Sequence, residues 1–431
     1  MSILRSLNNG ASGLRSHSEA LGVTSDNIAN VNTVGFKKSR GVFEDVLGRS
    51  LADGGAAPQA GSGSRLAHIE QVWGQGALMT TESPTDLALS GNGFFVVQGN
   101  SGGVQGQFYT RAGQFQLDAD KRLVNSQGMV VQGYMVNAQG VMGTSLTGLS
   151  LGGSTLPARS TTSVDASINL DSNAAVPAAW NPASPETTSN FSTGVTVYDS
   201  LGNPQEVTVY FRKSGANAWE WHAMTDGAAV TGGTAGVPSE GASGTLTFNT
   251  QGALDTETTT ASTWNFVNAT PGQTIAFDFG TSITTEGGTG LDATTQFASP
   301  STTTAMSQDG FAAGSVAGVS VESDGKVMGV FSNGQKRVLG QLAIATFAST
   351  EGLERSGQNL WAASDASGQP LLGAAQSGGR GSVIAGALEQ SNVDLGQEFV
   401  NLISYQRGFQ ANSRVISTSD EMYSELVNLK R

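Results

Sequence analysis

Apolar positions near the start of the chain recur every seven residues. Leu7, Leu14, Leu21 and Ile28 form one column, and Leu4, Ala11, Ser18 and Ser25 fill the intervening three- and four-residue steps. The spacing predicts a helix with one narrow apolar seam, of the coiled-coil type. The small residues of the second column permit close helix approach. Gly10, Gly13 and Gly22 each weaken such a helix by up to ~1 kcal/mol relative to Ala, so it needs packing partners. The other end repeats the pattern with Leu388, Leu395, Leu402, Phe409, Ile416 and Tyr423. Phe399, Tyr405 and Leu426 add apolar surface to one side. Residues 388–429 contain no Pro, and only Gly396 and Gly408 interrupt them. A helix packed on its own domain is one reading. Matching seams at both ends favour a terminal coiled coil over residues 1–30 and 386–431 that also packs against other subunits.

Between the ends the period changes to two. Val207, Val209 and Phe211 alternate with polar residues, as do Trp219, Trp221 and Ala223, and again Ile275, Phe277 and Phe279. Phe94 to Val97 is a short apolar run following Gly91-Asn92-Gly93. Asp324-Gly325 and Asn333-Gly334 are hairpin signals of the type I′ kind, which takes positive φ at both central positions. The middle is therefore expected to be antiparallel β, in barrel- or sandwich-like units. Residues 49–64 (RSLADGGAAPQAGSGS) read as a flexible or extended linker, within a joining region over 31–71. Residues 172–190 and 280–305 are compositionally simple and flank a strand-rich block. That block, 147–305, reads as an inserted domain. Residues 72–146 and 306–385 then read as halves of one discontinuous β domain.

Composition narrows the function. The chain has 431 residues with 38% hydrophobic content, enough for packed cores. Only 13% of residues are charged, so much of the surface must be uncharged and polar. Such surfaces suit subunit packing, because few charges need be desolvated. The net charge of -13 and the absence of clustered Lys and Arg argue against nucleic-acid binding. No cysteine is present, which removes disulfides, thiol catalysis and Cys-ligated metals together. No apolar run is long enough to span a membrane, and residues 1–22 lack the apolar core of a cleaved secretion signal.

Candidate chemistry is sparse. His17, His68 and His222 are far apart, with no HExxH or HxH spacing, so no metal site is expected. Gly91-Asn92-Gly93 lacks the third glycine of a nucleotide loop. Gly378-Gly379-Arg380-Gly381-Ser382 lacks the P-loop lysine. No GxSxG elbow occurs. Asp118, Asp120 and Asp324 lack calcium-loop spacing. Neither a catalytic residue nor a cofactor is therefore expected.

Several motifs carry a resemblance. Asp26-Asn27-Ile28-Ala29-Asn30-Val31-Asn32-Thr33-Val34-Gly35-Phe36-Lys37 resembles the signature of bacterial flagellar rod and hook axial proteins. Gly91–Val96 and Tyr109–Phe115 resemble that family's first β domain, and Leu388–Leu395 and Gln406–Asn412 its C-terminal helix. Val197–Asn203, Gly329–Gln335 and Leu339–Ala343 are similar to hook members in particular. The resemblance implies a fold that is mainly β with α-helical termini. It comprises terminal coiled-coil helices plus two β domains, the inner discontinuous and the outer inserted.

It further implies a non-enzymatic subunit of a curved tubular polymer, a universal joint carrying torque from rod to filament. Subunits would leave the cell by flagellar type III export with an uncleaved signal and assemble beneath a hook cap. Their partners would be further copies of the chain, the distal rod and hook-filament junction proteins, with no nucleic acid and no membrane insertion. A distal rod or junction protein is the nearest alternative. An extracellular β-rich adhesin or glycan hydrolase is the alternative from another class.

Overall fold

The computed structural model describes residues 2–47, 61–137, 140–152 and 155–428. It is mainly β, with one long helix at each end: Ser2–Ala29 and Leu395–Asn428. These two helices pack together. The described chain divides into two compact units. The first holds residues 1–153, 318–330 and 336–431; the second holds 154–317 and 331–335.

In the first unit a β-ribbon follows the N-terminal helix. Ser39–Leu47 pairs antiparallel with Gly61–Gln71. The ribbon lies along the helix, where Ser16 Oγ donates to Ser64 O at 2.9 Å. Residues 61–64, expected in a linker, are thus strand. The expected linker residues 49–60 lie outside the described residues. The β body centres on Phe94–Ser101, which pairs with Val104–Thr110 and with Val130–Val136. Its core gathers Phe94, Val96, Tyr109, Ala343, Ala345, Leu353 and Trp361. Trp73 caps it, 4.6 Å from Trp361 and 5.3 Å from Phe94 by ring centroid.

The second unit is a sandwich of two sheets. One is a six-stranded antiparallel meander through residues 191–274; the other has three strands, Ala276–Asp278, Ser163–Asn169 and Thr302–Gln308. The period-two residues supply its core: Val207, Val209, Phe211, Trp219, Trp221, Ala223, Ile275 and Phe279 are inaccessible to solvent. Burying a large apolar side chain stabilises by about 1.5–3 kcal/mol, which makes this unit's core the principal source of its stability. Its edges differ from the expected 147 and 305. Thr302–Gln308 pairs with Ser163–Asn169, and Phe311 bonds reciprocally to the Arg159 backbone, so residues 306–317 belong to it. The simple-composition stretch 172–190 is an ordered strap. Trp180 stacks on His222 at 3.9 Å, and Lys213 Nζ donates to the carbonyls of Ser172 and Ala174.

Both expected hairpins form, but not with type I′ turns. Only the glycines take positive φ, 83° at Gly325 and 80° at Gly334. Gly325 N donates to Glu322 O and Gly334 N to Phe331 O, each at 2.9 Å. These are type I turns closed by a left-handed glycine, which accept Asp and Asn in the right-handed region.

Burial pushes the Glu257 carboxyl, on the strand Leu254–Trp264, up to about 7; the Phe279 amide opposes this and the charges of Asp278 and Glu286 add to it. With the folded value above the unfolded one, the fold favours the protonated form. The contribution is complete below the unfolded pKa of 4.5 and is lost as pH rises through about 7. Glu257→Gln, which keeps an acceptor for Phe279 N, is expected to raise the melting temperature above pH 7, by about 2–4 °C per kcal/mol recovered. The gain should vanish near pH 4.5. Calorimetry across that range checks it; a pH-independent difference would refute the assignment.

Candidate assembly site

The two terminal helices meet through small and polar residues. On the N-terminal helix the buried positions are Gly10, Gly13, Ser16, Ala20, Thr24 and Asn27. Their three- and four-residue steps place them on one face. The facing side of the C-terminal helix carries buried Glu398 and Ser419, with Leu402, Tyr405, Gly408, Asn412 and Ile416 half-buried between them. Each glycine receives a side chain from across the pair. A Cβ on Gly13 would lie 2.6 Å from the Asn412 amide, one on Gly10 would lie 2.9 Å from Ile416, and one on Gly408 would lie 2.6 Å from the His17 ring. His17, Phe43 of the ribbon and Tyr405 form a triangle with centroids 6.0–6.1 Å apart. Asn27 Nδ2 donates to Glu398 Oε2 at 3.2 Å, and Ser419 Oγ lies 3.2 Å from Ser6 Oγ. Asp394 caps the C-terminal helix, accepting from Gly396 N and Gln397 N.

Apart from Leu402 and Ile416, the sequence-derived helix seam lies beside this face. Leu7, Leu14, Leu21 and Ile28 are only half-buried, and Ala11, Ser18 and Ser25 of the second column are exposed. Leu4 is 61% exposed, Leu395 40%, Phe399 51%, Phe409 39% and Tyr423 51%. Val400, Ile403, Val415 and Met422 add to the exposed apolar surface. Leu388 is not in the helix. It lies in the strand Ala387–Glu389, paired with Leu78–Thr80, and is buried. Its place in the heptad is a coincidence of spacing, because the helix begins only after the Asp394 cap. The side chain of Leu426 lies outside the described residues. The contact residues Gly10, Gly13, Ser16, Ala20 and Thr24 were missed. Their signal was the run of small residues at helical spacing, read from glycine content only as a weakness.

The Asn-rich motif forms the root of the helix pair. Asn30 ends the N-terminal helix: its backbone N donates to Asp26 O, its Nδ2 to Asp26 O and Oδ1, and its Oδ1 accepts from Thr33 Oγ1. Asn27 is buried and clamps Ser39 from both sides, accepting from its N and donating to its O, both at 2.8 Å. Gly35 has φ of 70°, and a Cβ there would lie 2.5 Å from Ala112 N, so only glycine fits. Gly35 N donates to Glu389 O at 2.7 Å. Phe36 is buried beneath the Arg355 guanidinium, 5.6 Å from its ring, and Arg355 also approaches Asp26 at 3.5 Å. Asn359 Nδ2 donates to Val34 O at 2.9 Å. Of the remaining motif residues, Ala29 and Asn32 are exposed and Ile28 is half-buried.

Lys37 closes the motif inside the protein. Its Nζ donates to Glu389 Oε1 at 2.6 Å and to Gly74 O at 2.9 Å. Arg111 approaches Glu389 Oε2 at 3.3 Å and donates to Gly91 O at 2.7 Å. Gly76 N adds a third donor to Glu389 at 3.0 Å. Burial lowers the Lys37 ammonium below the usual lysine range, against the pull of Glu389, and burial likewise lowers Arg111. Among the described residues, no group of three or more His, Asp or Glu is placed to hold a metal ion. What the arrangement can do is mechanical: it fixes both chain ends to one β body.

Family profiles match along the chain. Residues 7–37 match the flagella basal body rod protein family, and 88–175 the flagellar hook protein FlgE/F/G D1 domain. Residues 169–311 match the flagellar basal body protein FlaE D2 domain, and 384–429 the flagellar basal body rod FlgEFG protein C-terminal family. Helices at both ends rooted in β units, carrying these profiles, define an axial structural component of the bacterial flagellum. The flagellar hook protein FlgE of Salmonella typhimurium is 37% identical, across 99% of this chain and 100% of that one. Those of Borreliella burgdorferi and Escherichia coli K12 are 36% and 34% identical, covering 99% and 97% of this chain and 100% and 98% of theirs.

The chain belongs to the flagellar hook protein family: it is a structural, non-enzymatic subunit of the hook. The crystal structure of Helicobacter pylori flagellar hook protein FlgE2 superposes with a TM-score of 0.50. That match covers 72% of this chain and all of that one, at 16% identity, a likeness of fold.

The glycine contacts give a paired test. Gly22 has open space around its Cα, so Gly22→Ala should stabilise the helix by up to ~1 kcal/mol. Gly408→Ala gains the same propensity but drives a methyl into the His17 ring, and should destabilise the pair by about 1–3 kcal/mol. Helical ellipticity followed through thermal unfolding separates the two. Equal effects would show that the helices do not pack at this distance.

Proposed function

We propose that the chain polymerises into the hook tube through the apolar surfaces its terminal helices leave uncovered. One observation carries this reading. The intrachain pair buries glycine, serine, threonine and asparagine, while Leu395, Phe399, Ile403, Phe409 and Tyr423 stay at least 39% exposed. Leu395, Phe399 and Ile403 follow at four-residue steps and form a continuous stripe. Such stripes on helices are covered by other helices in coiled coils, and further copies of the chain supply them here. The seam residues Leu4, Leu7, Leu14, Leu21 and Ile28 serve the same contacts on the N-terminal helix, while Leu402 and Ile416 lie on the side of the C-terminal helix that faces it. Leu388 anchors the strand that leads into the C-terminal helix.

The first compact unit carries the terminal helices and the discontinuous β domain of this subunit, and the second is its inserted β domain. The distal rod, hook cap and hook-filament junction proteins are its neighbours in the flagellum. Export proceeds through the flagellar type III apparatus on an uncleaved N-terminal signal, and a chain without cysteine passes without crosslinks. Family membership over the whole chain favours the hook subunit over a rod or junction protein, and over an adhesin or glycan hydrolase.

Phe399→Ser and Ile403→Ser test the stripe. Each side chain still has about half its surface to bury, worth about 0.8–1.5 kcal/mol, so the critical concentration for tube formation should rise about 4- to 12-fold. The monomer's melting temperature should move less than assembly does, because both residues are already about half exposed in the single chain. Sedimentation of tubes gives the first quantity and calorimetry the second. Unchanged critical concentrations in both variants would remove this stripe from the subunit contacts.

A further inference from the structure

The chain enters and leaves the first β body through one crossing. Residues 35–38 run against residues 389–392. Gly35 N donates to Glu389 O at 2.7 Å, Lys38 N to Asn392 Oδ1 at 2.7 Å, and Asn392 N to Phe36 O at 3.4 Å. Lys37 reaches through this crossing to Glu389, and both side chains are at most 1% exposed. The buried cluster is unbalanced. Two cations, Lys37 and Arg111, share the carboxylate of Glu389. A buried ion pair is weak evidence for stability, and an excess buried charge is a cost.

The hydrogen bonds show which cation the fold can spare. Without the Lys37 ammonium, Glu389 Oε1 keeps Gly76 N at 3.0 Å and Oε2 keeps Arg111 Nη1 at 3.3 Å. Gly74 O keeps Asn392 Nδ2 at 2.9 Å. No partner of Lys37 is left unpaired, and the remaining charges, Arg111 and Glu389, cancel. What disappears is the charged side-chain tie between the segment leaving the N-terminal helix and the strand that leads into the C-terminal one; the bonds of Gly35, Phe36 and Lys38 across the crossing remain.

We infer that Lys37 is a positioning residue for assembly: through Glu389 it fixes the direction in which the two terminal helices leave the β body, and it is dispensable for the stability of that body. The inference rests on polymerisation of the chain, and its function is to present the helix pair to neighbouring subunits at one angle. A structural lysine in a hydrophobic core would behave in the opposite way, lowering stability and assembly together when removed.

Lys37→Met, which keeps the aliphatic stem and deletes the charge, separates the two, with Lys37→Gln as a second neutral variant of smaller apolar bulk. The full-length variants should melt at or above the wild-type temperature. Their critical concentration for tube formation should rise about tenfold, as loss of a charge-assisted hydrogen bond allows, and tubes that form should differ in curvature by electron microscopy. In the monomer, amide exchange over residues 20–38 and 389–400 should quicken by a similar factor while Phe94–Ser101 stays protected. A lowered melting temperature in both variants would overturn the inference, making Lys37 a stability element. Wild-type exchange rates and wild-type critical concentration together would also overturn it. If the wild-type chain forms no tubes under the same conditions, the polymerisation reading fails, and the exchange rates alone still decide whether Lys37 positions the helices.

Discussion

How closely the two terminal helices approach decides what the molecule offers to others. Gly10 and Gly13 on one helix and Gly408 on the other let Ile416, Asn412 and His17 sit directly on the opposing backbone. The pair is thereby satisfied by short side chains and by polar contacts such as Asn27 to Glu398. Leucines and phenylalanines are displaced to the flanks. A leucine-to-leucine pair would hold the helices farther apart and consume the same apolar surface internally. The small-residue face and the exposed apolar stripe are therefore one design seen from two sides.

That design needs a firm base, because a helix pair with little apolar burial does not set its own orientation. The base is the crossing of residues 35–38 with 389–392, where backbone bonds, Asn392, Gly35 and the Glu389 cluster converge. Every part has a steric or hydrogen-bonding reason. Gly35 is left-handed and touches the Ala112 backbone. Asn27 reads both backbone groups of Ser39. Glu389 gathers donors from three segments of chain. The motif is a joint, and its residue types follow from the bonds the joint requires.

Some of this was legible in the sequence and some was not. The period-two runs at 207–211, 219–223 and 275–279 identified core strands, because a sandwich buries one face of each strand and the alternation records it. The terminal helices were legible from their heptads. Which face they turn to each other was not, because a heptad column marks apolar residues without saying whether their partner is in the same chain. Leu388 illustrates the limit: in register with the heptad by spacing, it is a strand residue because Asp394 starts the helix later. Residues 172–190 are simple in composition and read only as a domain flank, yet Trp180 and the contacts of Lys213 and Arg212 tie them down. The buried ion cluster joins residues 37, 111 and 389, a long-range meeting that no local pattern encodes.

The polar character of the helix contact bears on when the helices form. Helix formation is cooperative with a costly nucleus, and most helical stability in proteins comes from burying an apolar face. Here the intrachain face supplies close contacts and hydrogen bonds, whose net worth is small once water is displaced. The larger apolar areas are covered, on the proposed reading, when other copies arrive, at about 25 cal/mol per Å². On the proposed reading, ordering of the chain ends and polymerisation then become one equilibrium, drawing on the same buried surface. The adhesive stripes, on the same reading, stay weakly organised until neighbours are present. The joint at Lys37 and Glu389 fits this scheme as the part that stays formed in the single subunit, so that ends ordering late do so in one direction.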